Sequence, residues 1–320
     1  MYLLELGGED DEFAASEARA AAGGVERFAP GLATARTLDA ERARTLAYTH
    51  RASELVGRTE ASLDSARTLL EAASIDREGS VAVRARDVRS STGVSTQAVE
   101  RELGSVLVER GFEVDLDDPD HELRVCLSDD VCALGWLLVE SERDFGERKP
   151  TDRPFFQPGS MDPLLARALV NLAHVDEGDR LLDPMCGTGG VLIEGGLVGA
   201  DVVGTDAQAK MVRGARENLD YFLDDFDVAR ADATRLPLED SAVDAAVFDA
   251  PYGRQSKIET HSLEDLVANA LAEANRVADR CVLVADREWD AVAEDAGWEV
   301  TARFQRRVHR SLVRYVLVLT

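Results

Sequence analysis

The second half of the chain alternates short apolar runs with longer amphipathic stretches, and no other feature restricts its fold as strongly. Strand-length runs lie at 180–183, 201–206, 228–232, 243–249 and 281–285. Helix-length patterns lie at 191–198, 210–222, 263–278 and 289–296. Strands separated in this way predict a parallel sheet with helices on both faces. Residues 299–320 predict two further strands. We therefore expect an α/β domain with a seven-stranded, mostly parallel sheet that includes one antiparallel strand at its end.

The first half is less regular and predicts a smaller α+β region. We expect strands at 1–6, 80–86, 114–116, 123–127 and 132–139, and helices at 61–72 and 96–110. Between the halves, residues 144–163 hold four prolines and two glycines, which exclude a regular helix or a central strand. The sequence therefore predicts an N-terminal region over 1–145, a linker over 146–160 and a second domain over 161–320. A weaker break is expected near 50–60.

The charge balance limits what composition can say about partners. The chain has a net charge of −25, and only three of its 36 basic residues are lysines. An acidic, lysine-poor but apolar-rich composition resembles that of proteins from salt-accumulating halophiles, so the charge does not exclude a nucleic-acid partner.

Location and assembly are predicted from what the sequence lacks. No apolar run approaches the roughly 20 residues of a membrane span, and the start does not resemble a signal peptide. The four cysteines form no Cys-x-x-Cys pair, so neither a zinc site nor a disulfide framework is indicated. We expect a cytoplasmic protein without a membrane partner. A monomer is assumed, although nothing in the sequence fixes the oligomeric state.

A glycine-rich turn follows the first strand of the second domain. It holds the candidate cofactor-binding residues Asp183, Pro184, Cys186, Gly187, Thr188 and Gly189. In open α/β sheets ligands bind beyond the carboxyl ends of the strands, and glycines let the backbone approach them closely. Asp206 ends the next strand, where an acid can accept both ribose hydroxyls. Asp232 is predicted to end the third strand and to meet an adenine amino group.

The spacing of this turn distinguishes between cofactors. A dinucleotide site favours G-x-G-x-x-G, but Leu192 stands where the third glycine is expected. A nicotinamide cofactor is therefore disfavoured. S-adenosylmethionine has no pyrophosphate to cradle, so the turn predicts that cofactor.

The fourth strand ends in a candidate catalytic turn formed by Asp249, Ala250, Pro251 and Tyr252. An exocyclic base amine is a poor nucleophile because its lone pair is delocalised into the ring. The Asp249 carboxylate and the Ala250 carbonyl can each accept an amino hydrogen, which aims the nitrogen and stabilises its developing charge. Pro251 restricts the backbone, and Tyr252 offers a ring face for the base. Whether Asp249 also takes the released proton is left open.

With both motifs in place, the chain resembles the archaeal tRNA guanine-10 N2-methyltransferase family over nearly its whole length. The turn at 183–190 looks like that family's D-P-x-C-G-T-G-G, and residues 249–254 look like its D-P-P-Y-G-R. The stretch from Arg148 through 153–159 is similar to its R-P-x-x-x-R-P-F-F-x-P-G. Residues 83–86, Gly111 and 114–116 resemble parts of a THUMP domain. Ala250 departs from the pattern because the family usually has proline there.

The resemblance implies a fold and an activity. The fold would be a THUMP domain at about 60–145 followed by a Rossmann-like methyltransferase domain. The activity would be S-adenosylmethionine-dependent mono- and then dimethylation of the guanine 2-amino group at position 10 of tRNA. Ala250 keeps the backbone carbonyl, so activity should survive its departure from the motif.

RNA contacts are predicted from arginines and lysines of these segments. The candidates are Arg84, Arg86, Arg148, Lys149, Arg153 and Arg254, with Arg89, Arg143 and Lys257 as further possibilities. A late basic cluster is expected to border the site; it holds Arg303, Arg306, Arg307, Arg310 and Arg314. A target base within a stem would have to be flipped out of the helix.

Two other hypotheses stay open from the sequence. The same tetrapeptide chemistry serves methylation of an adenine or cytosine amine in DNA, or of a protein glutamine amide. From another class, the chain would be a non-catalytic tRNA-binding partner, although Asp183, Asp206 and Asp249 argue against that. Product analysis separates the first group, and a cofactor-binding measurement tests the second.

Overall fold

The computed structural model describes residues 1–251, 262–309 and 312–320, and the chain divides between Glu142 and Arg143 into two compact units. The division lies close to the predicted end of the N-terminal region at 145. Residues 146–160, which were predicted to be a linker, fall inside the second unit.

The N-terminal unit is built on an eight-stranded sheet with the order β3-β4-β1-β6-β10-β9-β7-β8. Its strands are β1 (Tyr2–Leu6), β2 (Ala22–Gly23), β3 (Glu26–Ala29), β4 (Leu32–Ala35), β5 (Thr37–Leu38), β6 (Thr49–Glu60), β7 (Ser80–Asp87), β8 (Glu113–Val114), β9 (His121–Ser128) and β10 (Val131–Glu140). Its helices are α1 (Asp11–Ala18), α2 (Ala40–Arg44), α3 (Leu63–Ala72) and α4 (Thr96–Glu109). The predicted α+β character is confirmed.

Strand β6 holds this unit together. Its first half pairs with β1, and nearly its whole length pairs with β10. The predicted weaker boundary near 50–60 does not interrupt the sheet, because those residues form a continuous strand shared by both of its halves. Helices α3 and α4 begin at Ser62 and Ser95, whose side chains accept backbone N–H bonds. Both helices bury leucines, including Leu70 and Leu103, against the sheet.

The second unit is a seven-stranded sheet with the order β13-β12-β11-β14-β15-β17-β16. Its strands are β11 (Arg180–Asp183), β12 (Asp201–Asp206), β13 (Asp227–Arg230), β14 (Val243–Asp249), β15 (Ala278–Ala285), β16 (Val300–His309) and β17 (Leu312–Leu319). Its helices are α5 (Pro163–Leu172), α6 (Gly190–Leu197), α7 (Ala209–Phe222), α8 (Leu263–Val277) and α9 (Asp290–Asp295). Strand β17 runs antiparallel to both neighbours. The predicted Rossmann-like α/β domain is confirmed.

The strand order places a ligand crevice at one edge of this sheet. The chain proceeds from β11 to β12 on one side, and the later β14 pairs with the other side of β11. Such a reversal of strand order opens a crevice at the carboxyl ends of the strands. Asp183, Asp206 and Asp249 are the last residues of β11, β12 and β14. The topology therefore brings all three acids to the same edge.

The segment predicted to be a linker is packed against the helices of the second unit. Glu194, which is fully buried on α6, forms ion pairs with Arg148 at 2.8 Å and with Arg167 at 2.9 Å. Further along, the backbone N–H of Phe155 donates to Asn218 on α7 at 2.8 Å. A buried carboxylate requires cationic partners, and Arg148 supplies one of them. The segment forms two short 3₁₀ helices, Asp144–Arg148 and Pro150–Asp152, and is part of the second unit.

Among the described residues, no helix is both long enough and apolar enough to cross a membrane.

Candidate active site

The glycine-rich turn between β11 and α6 is held by backbone hydrogen bonds. Gly187 and Gly189 have φ values of 53° and 80°, a region that side chains rarely adopt. The N–H of Cys186 donates to the Thr205 carbonyl at 2.9 Å, and the Thr205 hydroxyl donates to the Pro184 carbonyl at 3.0 Å. These two hydrogen bonds fix the turn to strand β12.

Asp206 connects the turn to the second strand. Its carboxylate accepts the N–H of Gly187 at 3.1 Å and that of Gln208 at 2.8 Å. Burial raises the pKa of Asp206, against the two backbone hydrogen bonds, which lower it. Each oxygen has a second lone pair, so the carboxylate retains acceptor capacity for hydroxyl groups. This geometry fits the predicted ribose contact, which stays a prediction.

Asp183 is the most deeply buried of the three acids, with 3% of its surface exposed. Burial raises its pKa well above the usual range, and the carboxylates of Asp206 and Asp249 raise it further, whereas the N–H of Met185 opposes the shift. Burial and the same acidic surroundings also raise the pKa of the Cys186 thiol, which therefore stays neutral. An acidic, partly desolvated edge of this kind suits a cationic ligand such as a sulfonium.

Thr188 connects the turn to residues that the sequence did not single out. Its hydroxyl lies 3.0 Å from the Ser160 hydroxyl, and its carbonyl accepts the Asn218 amide at 2.9 Å. The Asn218 amide also donates to the Phe155 carbonyl at 2.9 Å. The only sequence signal for this support was the F-F-x-P-G stretch, which was assigned to a linker instead.

The structure corrects the position of Asp232. Strand β13 ends at Arg230, so Asp232 does not end it. Its carboxylate accepts the N–H of Thr234 at 3.0 Å and the Thr234 hydroxyl at 2.8 Å, which makes it a turn residue. The short side chain of an aspartate in a turn often bonds the backbone two residues on. The predicted adenine contact is untested.

Asp249 lies at the end of β14 with 23% of its side chain exposed, and its Oδ2 is 3.4 Å from Nη2 of Arg314. The backbone N–H of Ala250 donates to the Val284 carbonyl at 2.8 Å. Pro251 is half-buried. Tyr252 lies outside the described residues, so its predicted stacking role stays a prediction. Arg314 belongs to the late basic cluster that was expected to border the site, and this residue does border it.

The predicted RNA contacts differ in their surroundings. Arg148 and Arg153 are 4% and 5% exposed. Arg148 pairs with Glu194, and the Arg153 Nε donates to the Arg148 carbonyl at 3.0 Å. Their burial contradicts the prediction that they bind RNA, because a guanidinium enclosed by protein cannot reach a phosphate.

The other predicted RNA contacts that the structure describes are not enclosed by protein. Arg84 donates to the Leu116 carbonyl, Arg86 pairs with Glu5 at 3.4 Å, and Lys149 is exposed. These three stay candidates. Arg254 lies outside the described part of the chain.

Two family models match the chain. The RMKL-like methyltransferase domain matches residues 150–315, and the THUMP domain matches residues 61–136. The methyltransferase match begins inside the stretch predicted to be a linker, in agreement with its packing.

Individual relatives agree with these models. The chain is 39% identical over 284 residues to the tRNA (guanine(10)-N2)-dimethyltransferase of Methanothermobacter thermautotrophicus, covering 86% of this chain and 83% of the relative. It is 34% identical to the Pyrococcus abyssi protein of the same name, covering 76% of this chain and 74% of that one. The crystal structure of TrmN from Thermus thermophilus has a TM-score of 0.53 and 26% identity, with 99% of this chain and 98% of that chain covered. The chain therefore belongs to the THUMP-containing, RMKL-like methyltransferases of the archaeal tRNA (guanine(10)-N2)-dimethyltransferase family.

Proposed function

We propose that this chain is an S-adenosylmethionine-dependent methyltransferase that modifies the exocyclic N2 amine of guanine in tRNA. The observation that carries the proposal is the position of Asp249, which ends β14 at the same edge as Asp183 and Asp206. A substrate amine and a cationic methyl donor have to meet at such an edge. The names of its relatives support tRNA as the substrate.

The residues of the glycine-rich turn fit the cofactor. Gly187 and Gly189 present backbone without side chains, and Asp206 has acceptor capacity for two hydroxyls. When bound, S-adenosylmethionine supplies an electrophilic methyl group and leaves as a neutral thioether. Asp206 would accept the ribose hydroxyls, and the acidic edge at which Asp183 and Asp249 lie would favour the positive charge of the donor. Asp232 is kept as a candidate for the adenine end.

Asp249 has the central role in the chemistry. Its carboxylate accepts one amino hydrogen of guanine, and the Ala250 carbonyl accepts the other, so the nitrogen lone pair is directed at the methyl group. As the nitrogen–carbon bond forms, positive charge develops on nitrogen, and the fixed carboxylate stabilises it. The nitrogen then transfers one proton, to the Asp249 carboxylate or to water, and becomes neutral. The Pro251 ring fixes its own φ angle directly after that carbonyl.

The N-terminal unit supplies RNA recognition in this proposal. A THUMP domain at 61–136 and relatives named for guanine 10 support binding of tRNA and modification at position 10, first to the monomethyl and then to the dimethyl form. Arg84 and Arg86 in this unit, and Lys149 in the second unit, are the remaining candidates for contacts with RNA. A base in a tRNA stem would be turned out of its helix to reach Asp249.

The direct test is nucleoside analysis of an unmodified tRNA transcript incubated with the protein and methyl-labelled cofactor. The proposal predicts N2-methylguanosine and then N2,N2-dimethylguanosine. A transcript with adenosine at position 10 should accept no label. Methylated adenosine or cytidine, or label on a guanosine elsewhere in the tRNA, would contradict the corresponding part of the proposal.

A further inference from the structure

Arg314 reaches Asp249 across an intervening strand. Strand β17 pairs with β15, and β15 separates it from β14. Nevertheless Nη2 of Arg314 lies 3.4 Å from Oδ2 of Asp249, with 7% of the Arg314 side chain exposed. Burying the Arg314 guanidinium costs desolvation free energy, and the ion pair with the Asp249 carboxylate offsets part of that cost.

The strand register explains the contact. Asp249 pairs with Val284, and Val284 pairs with Val316, so these three residues share one face of the sheet. Arg314 lies two residues before Val316 on the same strand, so its side chain is on the same face of the sheet, because side chains alternate along a strand. Since β17 is antiparallel, that step carries Arg314 past the end of β15 at Ala285. The guanidinium thus meets the carboxylate at the crevice.

Three carboxylates lie at this edge of the sheet, and the Arg314 guanidinium is a positive charge beside one of them. Asp249 shares the crevice edge with Asp183 and Asp206, and the Asp249 carboxylate is close enough to affect the pKa of Asp183. Like charges held together favour protonation of one of them. A guanidinium on Oδ2 opposes that tendency and restricts how the carboxylate can turn.

We propose that Arg314 is a positioning residue for methyl transfer, which holds the Asp249 carboxylate in the orientation that receives the guanine amine. The inference rests on the proposed function. Arg314 acts through Asp249 and does not itself contact the reacting atoms. Its contribution therefore belongs to the rate of transfer and not to the affinity for cofactor or tRNA.

A double-mutant cycle tests this. Single-turnover rates with saturating tRNA and cofactor are measured for wild type, Arg314→Gln, Asp249→Asn and the double variant. Arg314→Gln should lower the rate about tenfold, within the range of coupling between residues of one ion-pair network. In the Asp249→Asn background the same substitution should cost less than about twofold, because the carboxylate it supports is gone. Cofactor and tRNA dissociation constants should stay within about twofold of the wild-type values.

A second variant and a matched control complete the design. Arg314→Lys keeps the charge but not the paired donors, so its rate should lie between those of wild type and Arg314→Gln, and the cycle can be closed with it if Arg314→Gln does not fold. Arg280→Gln is the control, since Arg280 lies on the neighbouring strand β15 but pairs with Asp179 at 3.2 Å. It should leave the rate unchanged.

The outcomes separate this inference from the proposed function. Equal rate losses from Arg314→Gln with and without Asp249 would overturn it, as would a loss confined to tRNA affinity, which would indicate a contact with RNA. If the wild-type protein forms no methylated guanosine, the proposed function fails. If it does and the cycle is additive, only the role of Arg314 fails.

Discussion

Ala250 occupies a position where the family usually has proline, and the structure gives the substitution a local compensation. Its backbone N–H donates to the Val284 carbonyl at 2.8 Å, which continues the β14–β15 pairing one residue beyond Asp249. Proline has no N–H and cannot make this bond. The turn therefore loses the rigidity of a pyrrolidine ring but gains a hydrogen bond, and it keeps the carbonyl that we propose as an acceptor for the amine.

The burial of Asp183 predicts a pH-dependent cost to the cofactor-free enzyme. Its folded pKa is raised, so the folded state holds a proton that the unfolded state releases above about pH 3.9. The stability that this group contributes is therefore complete below the unfolded pKa and is lost as pH rises through the folded pKa. Asp183→Asn should flatten this part of the profile and raise the melting temperature at pH 7. Thermal unfolding from pH 4 to pH 8 measures the difference.

Asp115 provides a control of opposite sign. Backbone N–H groups of Asp118 and Asp117 lower its pKa, so its contribution is present above the unfolded pKa and is lost as pH falls. Asp115→Asn should therefore not reproduce the effect of Asp183→Asn at neutral pH. Superimposable profiles for wild type and Asp183→Asn would show that Asp183 carries no desolvation cost.

At the scale of elements, helix α7 supports the cofactor turn through a close contact with the 143–160 segment. A Cβ built on Gly214 would lie 2.0 Å from the Phe155 ring, so glycine is required for the ring to lie on the helix. Asn218, one turn further on, bonds both Phe155 and Thr188. Gly214→Ala should displace Phe155 and weaken cofactor binding at least tenfold, as measured by calorimetry.

Gly104 is the matched control for that substitution. It also lies inside a helix, α4, but nothing is within 4 Å of a Cβ built there. Alanine at an open helical position stabilises by about 0.5–1 kcal/mol, so Gly104→Ala should raise the melting temperature and leave cofactor affinity unchanged. If Gly214→Ala behaves in the same way, the contact with Phe155 does not support the site.

The ends of most strands around the site could be predicted from local sequence patterns, whereas contacts between distant segments could not. Strands β11, β12 and β14 were predicted at their observed ends because apolar runs and terminal acids mark them in the sequence. The end of strand β13 was predicted two residues too late, since a turn aspartate resembles a strand-terminal one. The packing of 143–160 could not be predicted, because the carboxylate that binds Arg148 is Glu194, which is distant in sequence. Likewise, only the order of β15, β17 and β16 brings Arg314 to Asp249.

For the whole molecule, the division at 142/143 predicts which fragments will fold. A fragment of residues 143–320 keeps Arg148, Phe155 with its partner Asn218, and the entire second unit. A shorter fragment, residues 158–320, lacks Arg148 and so removes one of the cationic partners of the buried Glu194. Removing a partner of a buried ion pair typically lowers the free energy of unfolding by about 3–5 kcal/mol. The longer fragment should melt cooperatively and bind cofactor, whereas the shorter one should melt at a much lower temperature. Circular dichroism and calorimetry make the comparison. Equal melting temperatures would mean that residues 143–157 are a linker after all.

The account as a whole depends on methyl transfer taking place at Asp249, and single-turnover rates of two variants test that most directly. With saturating tRNA and cofactor, Asp249→Asn keeps an acceptor oxygen but loses the charge, so it should retain partial activity. Asp249→Ala loses both and should be slower by on the order of 10²–10³. Affinities for cofactor and tRNA should change little, because the contact strengthens mainly in the transition state. If Asp249→Ala instead methylates within a few-fold of the wild-type rate, Asp249 is not the catalytic acceptor and another group must hold the amine.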